Sequence, residues 1–487
     1  MGKKEKNSIA RNIFHLFYST AVSSALNATA LITLAYYLQS FHYGMFSVSL
    51  AFAMIMGYFT DAGLSEIVLR EGSKKVDTSI LISSYIKMRT GLLAATFLIG
   101  FIVIQLLYAD HIQLVQIAYC LIIPMVTGIA MQSVGITFFQ LKEKMQFVGL
   151  IRIVSAGCLV ITIVLGMLLN FQPVLVCFLY GASYFAAGAL AIYLVAKNVP
   201  IRWKTPFHKG LLQNLGSFTI GGLLFVMLPH LGPLILEKTI NFTGVGLFAV
   251  AYRIPQALQQ VPFIVAGAYY PVLFKAFNSN RLRDHLKYNL TLIKLMALVG
   301  MTMTIPFFYL SEFIIKLLFG AEWLAAALPL KILSLMLTLQ AINIALADGL
   351  TTKSLQIFRT SVQAVSIIIG IFLYVYLSKS FGVTGAAVAG VTIEAVSLIG
   401  FWACNPDRWV LAKKVIVPYT LFLTLSFLSI NYLLHSVPML AAVCHLIILV
   451  LVLILDPELN KKGKTILKKF KVSRKLSQRA KEAENGL

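Results

Sequence analysis

A chain of 487 residues that is 59% hydrophobic and only 12% charged has too few polar side chains to cover a soluble core of that size. Its formal net charge of +23 sits in short loops and one tail between long apolar runs. Membrane topology explains it more simply than nucleic acid, which is excluded as a partner.

The apolar runs are 18 to 28 residues long, enough to cross a hydrocarbon slab of about 30 Å as a helix. Barrel strands would instead alternate over about ten residues. In lipid, backbone polar groups must be bonded within the segment, so these runs are helices. The reading is an all-α polytopic membrane protein of about 14 transmembrane helices. In chain order they are predicted at 13–38, 44–69, 80–107, 112–140, 147–168, 173–196, 211–236, 243–271, 289–311, 324–350, 355–377, 382–403, 411–431 and 437–455. The basic start (Lys3, Lys4, Lys6, Arg11) leads into a run too long for a signal peptide, so no cleavage is expected.

The charges test this count. With the N-terminus inside, the inner segments hold 36 of the 41 basic residues and the outer loops only Lys238, Lys316 and Lys379. That asymmetry fits an even number of helices with both termini in the cytoplasm. Removing one helix would invert every later loop. The cysteines Cys120, Cys158, Cys177, Cys404 and Cys444 lie in apolar runs without paired spacing and read as small core residues.

The chain repeats itself. YGMFSVSLAF (Tyr43 to Phe52) matches VGLFAVAYRI (Val245 to Ile254) at an offset of 202 residues, with Gly44 on Gly246, Phe46 on Phe248 and Val48 on Val250. Both copies open the second helix of a half, so the repeat is parallel, as in some transporters. The organisation expected is a six-helix lobe at 1–196, a basic cytoplasmic linker at 197–210, a second pseudo-symmetric six-helix lobe at 211–403, two further helices at 404–455 and a basic cytoplasmic tail at 456–487. The tail is a candidate to lie on anionic lipid, or else a solvated topology anchor.

No catalytic motif appears: no Gly-rich loop ending in Gly-Lys-Ser/Thr, no His-Glu-x-x-His and no Gly-x-Ser-x-Gly. No enzyme activity, cofactor or metal site is expected. Ionisable residues inside apolar runs are the informative ones, since each costs about 2.5–3.5 kcal/mol at a helix centre and must face protein or water. Arg253 is the sharpest. It lies about 15 Å along the eighth helix, and its repeat counterpart is Ala51, so only one lobe carries the cation. It is either an anion site in a central cavity or half of an ion pair with Glu394 or Asp61. Lys331 either lines the same cavity or reaches the outer surface. Arg89, Arg152, Lys294 and Arg359 lie in the first turns of helices entering from the inside, and Arg11 begins the first helix; they either snorkel or form a basic vestibule for an anionic headgroup. Among the acids, Glu394, Asp61 and Asp348 are candidates to couple transport to H+ or Na+, or to pair with Arg or Lys; Glu66 sits near the inner end. His230 reads as a core histidine. Pro229, Gly232, Pro233, Pro255 and Pro262 would bend the seventh and eighth helices.

These segments resemble bacterial polysaccharide-biosynthesis flippases of the multidrug/oligosaccharidyl-lipid/polysaccharide exporter superfamily. The resemblance rests on YGMFSVSLAF with TDAGLSEIVLREGSKK (Tyr43 to Lys75), VGLFAVAYRIPQALQQVPFIVAGAYYPVL (Val245 to Leu273), IIKLLFGAEWLAAALPLKILSLM (Ile314 to Met336) and FGVTGAAVAG (Phe381 to Gly390). It implies two lobes around a cavity and a polyprenyl-pyrophosphate-linked oligosaccharide moved from the inner to the outer leaflet of the bacterial cytoplasmic membrane by alternating access. It also implies a polysaccharide polymerase and glycosyltransferases as partners, and a cavity cation holding pyrophosphate, for which Arg253 is the matching position. The late Asp that many relatives carry in the seventh helix is missing from PHLGPLILEK (Pro229 to Lys238). The alternatives are a drug or cation antiporter of the same superfamily, which requires an acid-rich cavity, and a membrane scaffold for a glycan polymerase.

Overall fold

The computed structural model describes residues 3–72, 77–204, 206–212, 215–434, 436–456 and 460; the basic tail at 461–487 lies outside them. No strand occurs among the described residues. The chain runs through α1 (Lys3–Phe59), α2 (Leu64–Gly72), α3 (Thr78–Tyr108), α4 (Ile112–Leu141), α5 (Met145–Leu168), α6 (Pro173–Asn198) and α7 (Leu215–Leu236). It continues through α8 (Phe242–Leu258), α9 (Gln260–Asn278), α10 (Leu282–Tyr309), α11 (Ser311–Phe319), α12 (Ala327–Thr352) and α13 (Gln356–Ala403). A short α14 (Arg408–Leu411) passes through a π-helical turn (Ala412–Ile416) into α15 (Val417–Leu434), followed by α16 (Pro438–Leu455).

Eleven helical stretches among the described residues are long and apolar enough to cross a membrane. Two of them contain a break: Gln39 interrupts α1 with φ 54 and ψ 178, and Gly382 interrupts α13 with φ 58 and ψ −136. Together with the 22 residues of α7 this gives the fourteen crossings that hydropathy predicts. The protein is therefore an all-α, multi-pass membrane protein.

The boundaries depart from the predicted ones where the backbone turns. The predicted second helix stops at Phe59, because Ala62 (φ 49) and Gly63 (φ 81) reverse the chain into α2. The predicted eighth divides into α8 and α9 around Gln259. Pro255 lies four residues before that division, and Pro262 sits in the first turn of α9, where a missing N–H is tolerated. Finally, α10 starts at Leu282 and not near 289. Its first two turns are charged and escape a hydropathy window, but they are helical.

The chain forms two compact units. The first comprises Met1–Ala257, Ile315–Pro329 and Gln363–Gly390. Its core includes Leu64, Ile67, Leu81, Tyr85, Phe138, Val148 and Val195 from α2 to α6. Here the two copies of the sequence repeat meet. A Cβ added to Gly44 would strike the backbone carbonyl of Phe242, and one added to Gly246 would strike that of Ser40. Positions 40 and 242 stand at the repeat offset of 202, as do 44 and 246, so the contact is reciprocal. Only glycine allows such an approach.

The second unit comprises Leu258–Ile314, Leu330–Val362 and Val391–Leu487. Its core interleaves Leu292, Met296, Met301 and Ile305 of α10 with Ala341, Ile342 and Ala345 of α12, and adds Val415, Tyr419 and Phe427 from the C-terminal helices.

Candidate functional site

Arg253 is carried by α8, whose first turn is capped by the Asn241 carboxamide oxygen accepting from the Gly244 N–H at 2.8 Å. Its guanidinium is half-buried and Nη1 donates to Gln256 Oε1 at 3.0 Å. Its charge acts on the phenols of Tyr43, Tyr180 and Tyr184 and on the imidazole of His230. All belong to the first unit. Among the described residues no carboxylate pairs with Arg253. These neighbours are neutral and leave the charge uncompensated, and removing a charge even partly from water without a counter-ion is costly.

An aromatic wall carries these phenols. Tyr43 is fully buried and Tyr180 nearly so. Phe46 lies between them, with ring centroids 5.6 Å from Tyr43 and 5.0 Å from Tyr180. Tyr184 follows one turn on, 5.8 Å from Tyr180, and Trp323 packs edge-on to Tyr43 at 5.8 Å. An anion reaching Arg253 would find one guanidinium fork for bidentate contact, with the half-buried Tyr184 as the accessible phenol of the group. The sequence reading singled out Arg253 and not these tyrosines, since a tyrosine in an apolar run has many roles. The available signals were the i, i+4 spacing of Tyr180 and Tyr184 on one helix face and the place of Tyr43 beside the repeat glycine.

The other candidates are arranged differently. Arg89 is buried on α3 and forms an ion pair with Asp61. It also donates to Tyr85 Oη at 2.9 Å and to Thr60 Oγ1 at 3.1 Å, while Ser65 Oγ donates to Asp61 at 2.7 Å. Two candidate residues that the sequence treated separately therefore neutralise one another. Asp348 similarly lies 3.6 Å from Arg359, which donates to Thr351 Oγ1 at 3.1 Å. Lys331 rests its ammonium over the Phe308 ring at 4.9 Å, in the second unit. The side chain of Arg11 lies outside the described residues.

Glu394, on the second part of α13, is buried. Gln340 Nε2 donates to Oε1 and Asn343 Nδ2 to Oε2, both at 2.8 Å. The amide oxygens of Gln340 and Asn343 are themselves buried without a hydrogen-bond partner among the described residues. A buried carboxylate held by two amide N–H donors has its charge left to be neutralised, which a proton or a hard monovalent cation could do. No group of three or more His, Cys, Asp or Glu side chains that could hold a metal occurs among the described residues.

Residues 9–277 match the family model described as "Polysaccharide biosynthesis protein". Among solved structures, a lipid II flippase MurJ in an inward closed conformation superposes with a TM-score of 0.66 at 11% identity, covering 91% of this chain and 99% of that one. An inward-facing multidrug resistance MATE transporter of the MOP superfamily gives 0.69 at 14% identity, covering 82% and 99%. A MOP superfamily transporter from Pyrococcus furiosus, described as having a binding pocket of reverse polarity, gives 0.57 at 15% identity, covering 84% and 96%. No curated protein matches the chain. The likeness to these structures is one of fold.

Proposed function

Because the chain belongs to the polysaccharide biosynthesis protein family, whose fold is that of transporters and flippases, we propose that it moves a polyprenyl-pyrophosphate-linked oligosaccharide across the bacterial cytoplasmic membrane. The movement is from the inner to the outer leaflet by alternating access of two lobes, 1–196 and 211–403, with both termini in the cytoplasm. The observation that carries this reading is Arg253, a half-buried guanidinium without a carboxylate partner among the described residues. The substrate's pyrophosphate supplies the missing negative charge and matches the guanidinium fork. Tyr184, half-buried on the same helix face as Tyr180, supplies a phenolic O–H as a further donor. The polyprenyl chain remains in lipid while the polar glycan, whose desolvation is the main barrier to unassisted flipping, crosses in the protein interior.

Lys331 and Arg11 are kept as further candidate cations for the pyrophosphate. Arg89, whose charge Asp61 matches, would take up phosphate only on parting from Asp61. Glu394 with Gln340 and Asn343 is the preferred position for H+ or Na+ coupling, ahead of Asp61 and Asp348, which already face arginines. A drug or cation antiporter would place carboxylates around its cargo, whereas the groups around Arg253 are phenols and an imidazole. The partners expected are the glycosyltransferases that build the lipid-linked glycan and the polymerase that consumes it.

The test is export of surface polysaccharide in cells that depend on this chain. Arg253→Ala should abolish export at unchanged membrane abundance, and Arg253→Lys should retain a fraction. Wild-type export from Arg253→Ala would overturn the reading.

A further inference from the structure

The second unit contains a basic cavity that the transport reading does not use. It has a volume of about 420 Å³ and is lined by Arg283, Leu286, Lys287, Leu290, Lys294 and Lys414. Its construction follows from two local features. The early start of α10 at Leu282 brings Arg283, Lys287, Leu290 and Lys294 into register at intervals of four, three and four residues, which is one helix face. Opposite that face, the π-helical turn Ala412–Ile416 carries Lys414; such turns interrupt regular helices and frequently mark functional sites.

The charge balance of the cavity favours an anion. Lys294 is half-buried and bonded to Asp456 at 2.8 Å, and Asp456 also accepts from Tyr419 Oη at 3.2 Å. Arg283, Lys287 and Lys414 have no carboxylate partner among the described residues, and all three are exposed. Like charges at Arg283 and Lys287, four residues apart, destabilise a helix, so the arrangement gains when an anion bridges them. The floor is apolar: Leu290 is 8% exposed. A cation ring over leucines fits a group that is anionic at one end and hydrocarbon at the other. The cavity's depth agrees. Trp409, five residues before Lys414, is 69% exposed and packs edge-on to Trp402 at 5.7 Å, and exposed tryptophan belongs at the lipid headgroup level.

We propose that this cavity binds the phosphate headgroup of an anionic membrane lipid, and that a lipid bearing two phosphates, of the diphosphatidylglycerol class, fits it best. The three cations without a carboxylate partner exceed the need of one phosphodiester, and the face is the one assigned above to the cytoplasm, where anionic headgroups attract basic pockets. None of its lining residues is used in the transport reading, so the lipid proposal is tested apart from the flippase assignment.

The full chain, purified and delipidated, is titrated with nanodiscs or mixed micelles of phosphatidylcholine with and without diphosphatidylglycerol, and bound lipid is counted by native mass spectrometry. The wild type should retain diphosphatidylglycerol in preference to phosphatidylcholine. Arg283→Gln combined with Lys287→Gln and Lys414→Gln should lose roughly tenfold to a hundredfold in affinity, as expected for three cations near an anionic headgroup. Lys197→Gln combined with Lys204→Gln and Lys209→Gln removes the same charge from exposed linker positions and should bind as wild type. Lys414→Gln alone provides a milder variant with a smaller loss. Displacement by polyprenyl pyrophosphate but not by inorganic pyrophosphate would support a lipid-borne phosphate and assign its source to the substrate class. Equal competition by inorganic pyrophosphate would overturn a lipid site, as would unchanged diphosphatidylglycerol binding by the triple variant.

Discussion

Gly44 and Gly246 face one another through a reciprocal contact: a Cβ on either would strike the backbone four residues upstream of the other, and each such Cβ would also lie 3.2 Å from the partner glycine's nitrogen. The two are equivalent positions of an internal repeat. Helices opening at 40 and 242 therefore cross at their closest point on a local two-fold relation, and the backbones themselves form the contact. Packing of this kind holds membrane helices together without a hydrophobic driving force between them.

Even the smallest substitution is expected to disturb this crossing. Gly44→Ala or Gly246→Ala should each destabilise the protein by about 1–3 kcal/mol, the usual range for overpacking a tight contact. The combined change should cost less than the sum, because the first already separates the helices. Thermal unfolding in detergent of the two single variants and the double one measures this. A glycine variant that melts with the wild type would contradict the close approach.

Arg89 and Asp61 should behave as a unit. Removing one partner of a buried pair leaves a charge without compensation and costs about 3–5 kcal/mol. Arg89→Gln and Asp61→Asn are each expected to lower the melting temperature strongly. The double change should recover much of the loss, since Tyr85, Thr60 and Ser65 remain to satisfy the neutral side chains. Additive losses in the double variant would show that the two charges do not depend on each other.

If Glu394 couples transport to an ion, Glu394→Gln should leave a protein whose export no longer responds to collapse of the proton or sodium gradient. The isosteric change preserves volume and one amide contact, so abundance should hold. Export that still falls on collapsing the gradient in Glu394→Gln would remove Glu394 from that role and direct attention to Asp61 and Asp348.

Much of this architecture was legible in the residues. Apolar run length predicts the crossings because a bilayer imposes one length on every helix. The repeat was legible through Gly44 and Gly246, where a close crossing leaves no choice of residue. The breaks were less so. Gln39 adopts φ 54 and ψ 178 without being glycine, a cost of about 1–3 kcal/mol accepted from tertiary context, and no local residue signals it. The charged start of α10 was missed because hydropathy measures lipid exposure and those turns extend beyond the apolar run. At the candidate site the sequence identified Arg253, since an isolated charge in an apolar run stands out. It did not identify Tyr43, Tyr180 and Tyr184, because their convergence on one guanidinium depends on how three separate helices pack.

The central claim is that Arg253 holds the pyrophosphate of a lipid-linked glycan during transfer. The direct measurement is the rate at which a fluorescent polyprenyl-pyrophosphate oligosaccharide changes leaflet in proteoliposomes of the purified chain, compared with its analogue carrying a neutral linkage. The wild type should transfer the pyrophosphate substrate at least tenfold faster than the neutral analogue, since a charge-assisted hydrogen bond contributes about 1.5–3 kcal/mol. Arg253→Ala should remove that preference, and Arg253→Lys should restore part of it. Equal preference in the wild type and in Arg253→Ala would contradict the account.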